Sequence, residues 1–144
     1  MQQMDFDTWI EMPGRLTDQI IKLEDKAEKL RTVAADSAYR LNPAPQKATP
    51  TGSGMEKMIT MAMDIDARVK TLREEREEYI AEITELLMGL ENQNHMDVLI
   101  MRYISLCSFE KIATKIRYSK SHVFKLHRDG MTEARKLYNE KHNS

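Results

Sequence analysis

Small or apolar residues recur at Leu16, Ile20, Leu23, Ala27, Leu30, Ala34, Ser37 and Leu41. Steps of four and three hold them on one helical face, as in a heptad seam. A second seam runs through Met58, Ala62, Ile65, Val69, Leu72, Arg76, Tyr79, Ile83, Leu86 and Leu90. At 1.5 Å per residue its helix is on the order of 50 Å long. Between the seams, Asn42 to Gly54 holds three prolines and two glycines and reads as a linker. Residues 1–14 read as a lead-in ending at Pro13-Gly14, with Phe6 and Trp9 stapling the open end of the pair. Two such stripes joined by a loop predict a long antiparallel, coiled-coil-like hairpin. So narrow a stripe buries little alone, so a second copy is expected to cover Leu23, Leu30, Ile65, Val69, Leu72, Tyr79, Ile83 and Leu86. Arg76 either sets register by pairing with an acid or extends its charge to the edge. Met55, Met58, Met61 and Met63 are expected in the seam or at an oligomer contact.

After Gly89 the pattern shortens. Asn94 is placed to cap a helix bearing Met96, Leu99, Ile100, Tyr103 and Ile104. Ser108 can cap the next, with Glu110 in its positive first turn. A break at Arg117-Tyr118-Ser119 leads to the last helix. With Phe109 as position one, the apolar positions of a helix-turn-helix fall on Ile112, Ile116, Tyr118, Val123 and Leu126. The fifth position, where the helices cross closely, is Ala113. The ninth, commonly glycine for its left-handed backbone, is Arg117, which leaves a different turn geometry open. With Val123 and Leu126 inward, Lys120, Ser121, His122, Phe124, Lys125 and Arg128 face out. Lys120 and Ser121, in the first turn, suit base edges, whereas Lys125 and Arg128 suit phosphates. Phe124 suits a thymine methyl or a protein partner. The predicted fold is all-α: a hairpin arm over 1–92 followed by a C-terminal three-helix helix-turn-helix domain over 93–144.

Composition agrees with helices: five Gly and four Pro in 144 residues, 31% charged and 6% aromatic. The net charge of −1 hides a division. Residues 1–92 carry 12 Lys+Arg against 18 Asp+Glu, and residues 93–144 carry 10 against 5. The basic half points to a polyanionic partner. Cys107 is the one cysteine, expected as a small buried filler, and a reducing compartment follows. His122 and His127 lie five apart, with His95 and His142 distant, so no metal ligand spacing forms. No catalytic arrangement, phosphate loop, signal peptide or membrane span is read, and the expectation is a cytoplasmic, cofactor-free, non-enzymatic protein.

Three runs carry a resemblance: Val98-Leu99-Ile100-Met101-Arg102-Tyr103-Ile104, Ser108-Phe109-Glu110-Lys111-Ile112-Ala113, and Tyr118-Ser119-Lys120-Ser121-His122-Val123. Together they resemble region four of bacterial sigma factors and, more closely, phage late-transcription regulators of the ArpU and RinA type. The likeness covers about 45 C-terminal residues by the motif logic above. It implies a transcriptional activator of phage late genes in the host bacterial cytoplasm, binding promoter DNA and host RNA polymerase. It places recognition on Lys120, Ser121, His122, Phe124 and Lys125. No counterpart of the promoter-melting sigma segment is present, so an activator is implied instead of a complete sigma factor. A homodimer or higher homo-oligomer is expected. The alternatives are a packaging protein of the small-terminase kind and a helical adaptor without a DNA partner.

Overall fold

A computed structural model describes residues 4–41 and 51–143, with side chains for 4–37 and 54–143. The chain is all-helical: α1 Phe6–Leu41, α2 Thr51–Leu87, α3 Gln93–Leu99, a π-helical turn Ile100–Ile104, α4 Phe109–Ile116 and α5 Lys120–His142. The two long helices pack together as a hairpin. The expected linker lies at 42–50 outside the described residues, but its last four residues, Thr51 to Gly54, open α2. Each glycine there costs about 1 kcal/mol in a helix. Propagation from the long segment behind them outweighs that.

The chain divides into two compact units, Leu16–Glu75, and Met1–Arg15 together with Arg76–Ser144. This differs from a division at residue 92, because the boundary crosses both long helices.

In the first of these, the seam holds. Leu16, Ile20, Ala27, Ala34, Ala62, Val69 and Leu72 are buried, with Leu23, Leu30, Ser37, Met58 and Ile65 half-buried between them. Arg31 pairs with Asp66, and Arg73 with Glu24. Moving seven residues back on α1 thus moves seven forward on α2, which is an antiparallel heptad register. Part of the seam is thus covered within one chain, while Leu23, Leu30, Met58 and Ile65 keep some exposure. The methionines divide: Met55 and Met58 are half-buried, whereas Met61 and Met63 are exposed. The side chain of Leu41 lies outside the described residues.

The second unit is built on Phe6, Trp9, Ile10, Ile83, Leu86, Leu87, Leu90, Leu99, Ala134 and Tyr138. Its first helix starts earlier than the sequence reading has it. Asp5 caps it, its Oδ1 accepting from the Thr8 N–H at 2.8 Å, and hydrogen bonding from the Thr8 side chain, then from its N–H, holds the exposed carboxyl below its usual pKa. Pro13 sits inside α1 and is fully buried. A proline there removes one helix hydrogen bond, a loss that burial of Phe6, Trp9 and Ile10 offsets. Phe6 and Trp9 do not merely staple a hairpin end. The Trp9 ring lies 4.8 Å from Tyr138 and the Phe6 ring 5.7 Å from it. The Tyr138 hydroxyl donates to the Met4 carbonyl at 2.5 Å, and Arg135 pairs with Asp7 at 2.8 Å. Tyr79, Ile83 and Leu86, expected at an oligomer seam, lie in or against this core, and Arg76 is half-buried.

Helix α3 is capped two residues earlier than expected. Asn92, not Asn94, accepts through Oδ1 from the N–H groups of Asn94 and His95. An acceptor two or three residues ahead of the unpaired donors is what closes the first turn. On the far side, Gly130 of α5 lets α3 approach: a Cβ there would lie 3.2 Å from His95 Cβ.

Candidate nucleic-acid interface

Helix α4 begins at Ser108, whose Oγ accepts from the Lys111 N–H at 3.2 Å. It ends at Arg117, which adopts the left-handed conformation at φ 61° and ψ 41°. The glycine-type turn is thus kept by an arginine, not replaced by another geometry. Ser119 then caps α5, its Oγ accepting from the His122 N–H at 3.1 Å. Both serine caps fall where the sequence puts them.

Beneath the turn, Val98, Cys107, Ile112, Val123 and Leu126 form one buried cluster, with Met101, Phe109, Ala113 and Ile116 packed against it. This is the expected helix-turn-helix core with one correction. Tyr118 is 41% exposed, and its ring stands edge-on to His122 at 4.5 Å. A phenol at the rim leaves its hydroxyl free of any need for a buried partner. Cys107 is the small buried filler expected.

A second layer locks the segment before α4. The π-helical turn closes with the Ser105 N–H donating to the Ile100 carbonyl at 3.0 Å. Arg102 donates from Nη1 to the Cys107 carbonyl at 3.1 Å, and its guanidinium lies 4.2 Å over the Phe109 ring. Phe109 in turn meets Phe124 at 4.8 Å and His127 at 5.1 Å between ring centroids. Phe124 therefore has an inner neighbour, yet remains 46% exposed.

All six candidate contact residues, Lys120, Ser121, His122, Phe124, Lys125 and Arg128, are exposed. At 3.6 residues per turn, five of them fall within an arc of about 140° opposite Val123 and Leu126. His122 falls outside that arc, on the flank with Tyr118. Lys111, Lys115 and Arg117, which the sequence reading did not single out, are exposed too. Residues 109–128 carry six cations and a single anion, Glu110. Their density is legible in the sequence, although the apolar helix-turn-helix template does not include these positions. Glu110 contacts Lys120, Oε1 to Nζ, at 3.2 Å. The Lys120 ammonium also lies 5.9 Å from the Phe124 ring centroid.

Chemically, the arc offers cationic donors, one hydroxyl and one aromatic face. Among the described residues, no group of three or more His, Cys, Asp or Glu is arranged to hold a metal ion. No described helix is long and apolar enough to cross a membrane. No family model matches the chain, and no curated protein or solved structure matches it.

Proposed function

We propose that this protein binds duplex DNA sequence-specifically through α5 and activates phage late transcription together with host RNA polymerase. The observation that carries the DNA reading is the exposed arc of Lys120, Ser121, Phe124, Lys125 and Arg128 above the buried anchors Val123 and Leu126. A capped helix that presents Lys120 and Ser121 of its first turn outward matches a recognition helix in a major groove. The step from DNA binding to late activation rests on the likeness to sigma region four and to the ArpU and RinA regulators. Self-association, as a homodimer, belongs to the same proposal, since two copies would read repeated half-sites.

The test is selection by the purified full chain from a pool of random-sequence duplexes, with molecular mass measured on the same sample. One enriched motif and a dimeric mass are expected. Transcription by bacterial RNA polymerase from a template carrying that motif then rises when the protein is added. Failure to enrich any sequence sinks the DNA reading. Closed rings of many subunits would move it to DNA packaging.

A further inference from the structure

Among the cations of the candidate interface, Lys120 stands apart. Arg128 pairs with its chain neighbour Asp129 at 3.5 Å, whereas Lys120 is held by a residue of another helix. Glu110 is the only acidic residue between Phe109 and Arg128, and its side chain is 78% exposed. A carboxylate at that position favours the α4 N-terminus, but it needs no lysine to do so. Surface pairs of this kind add little to folding stability. On a face that meets phosphates an anion is also a handicap, which sets a cost against that local benefit.

Geometry supplies a second benefit. The Lys120 ammonium contacts Glu110 Oε1 on one side at 3.2 Å and is flanked by the Phe124 ring at 5.9 Å. A lysine is ordinarily a flexible point charge with three donors. Glu110 engages one donor and leaves two for an acceptor pair such as guanine O6 and N7. The same carboxylate repels phosphate and offsets the lysine's charge toward a sequence-independent backbone.

We propose that Glu110 is a positioning residue that converts Lys120 from a phosphate-seeking cation into a base-reading donor, and so sets the specificity of the interface. This rests on the DNA-binding reading above. It adds that discrimination depends on a residue of α4 outside the recognition helix.

The test compares the full-length protein with Glu110→Gln, Lys120→Ala and the double variant. The probes are the duplex selected by the full-length protein and a scrambled duplex of equal length, titrated at several salt concentrations. With Glu110→Gln, affinity for the scrambled duplex rises severalfold. The ratio of selected to scrambled affinity falls about tenfold, the range of one lost base contact. The slope of log K against log salt on the scrambled duplex steepens by about one, as one more phosphate is neutralised. Helix content is kept and the thermal midpoint falls only by the small loss of a first-turn carboxylate, which separates this from damage to the fold. In the Lys120→Ala background the Glu110 change no longer alters the ratio. An unchanged ratio in Glu110→Gln, or an equal effect with Lys120 absent, overturns the positioning role while leaving DNA binding intact. If the unmodified protein retains neither duplex, the DNA reading itself falls and this inference with it.

Discussion

The Tyr103 hydroxyl and Nε2 of His127 lie 2.7 Å apart, tying the π-helical turn to the second turn of α5. Burial, and then the Arg102 guanidinium, hold the His127 imidazole below its ordinary pKa of 6.5. Burial raises the Tyr103 phenol, with Glu11 and Asp7 adding to the rise and Arg102 opposing it. Near neutrality Tyr103 therefore donates and a neutral His127 accepts. Between the depressed pKa and 6.5 the unfolded chain binds more protons than the folded one. Stability from this group is full above 6.5 and is lost as pH falls through that window. The thermal midpoint is expected to drop between about pH 7.5 and about pH 5.5, and to drop less in His127→Gln. Parallel curves for the two proteins would assign the pH response elsewhere.

Arg117 holds a left-handed backbone at φ 61° without being glycine. That conformation costs a non-glycine residue about 1–2 kcal/mol. Glycine removes the strain but adds freedom to the unfolded chain. Arg117→Gly is expected to gain about 0.5–1 kcal/mol on balance. Arg117→Val, branched at Cβ, is expected to lose stability. Urea midpoints at constant slope check both.

Gly130 presents the opposite case. In an open helix, Gly→Ala stabilises by about 0.5–1 kcal/mol. Here the added methyl would meet His95 Cβ at 3.2 Å, Leu99 Cδ1 at 3.4 Å and His95 Cα at 3.5 Å. Two of those atoms belong to or adjoin the α3 backbone, which cannot rotate away. Gly130→Ala is expected to lose about 1 kcal/mol net through overpacking. A gain in thermal midpoint would contradict the close approach of α3 and α5.

Lys120 and Arg128 occupy the same exposed arc but different depths along α5. Lys120→Ala is expected to relax sequence preference. Arg128→Ala is expected to weaken all duplexes alike and flatten the salt dependence by about one unit of slope. Binding-site profiles of the two variants, measured side by side, decide the assignment. Superimposable profiles would defeat it.

Trp9 is 7% exposed and its ring packs, tilted by 40°, against Tyr138 at 4.8 Å. Trp9→Ala is expected to cost about 3–5 kcal/mol. A fragment of residues 93–144 lacks Phe6, Trp9, Ile10, Ile83 and Leu87, and is expected to lose the thermal transition of the intact chain. Circular dichroism melting distinguishes this from an autonomous C-terminal domain.

How much of this was readable in advance follows from where each residue's partners lie. The seams from Leu16 to Ala34 and from Ala62 to Leu90 were legible because each position repeats a local period. The caps at Ser108 and Ser119 were legible because cap and donors sit within three residues. The start of α1 was not. Pro13-Gly14 looks like a stop signal, and the burial that overrides it comes from Tyr138 and Ala134, far along the chain. Asn92 and Asn94 are chemically alike, and only the backbone of the preceding turn distinguishes the cap. Tyr118 fits the apolar template by type but lies at the rim, since Ile112, Ile116 and Val123 already fill the interior. The Glu110–Lys120 pair spans ten residues and two helices, beyond any helical periodicity.

Met4 and Tyr138 are hydrogen-bonded across 134 positions, and Asp7 and Arg135 across 128. During synthesis the first segment leaves the ribosome long before its partners exist. The core around Trp9 and Phe6 therefore cannot be completed until α5 has emerged. The hairpin seam between residues 16 and 75 has no such delay and can zip as soon as its second arm is made. Birth order thus sets assembly order: the arm comes first, and the core shared by Trp9 and Tyr138 closes only once α5 is available.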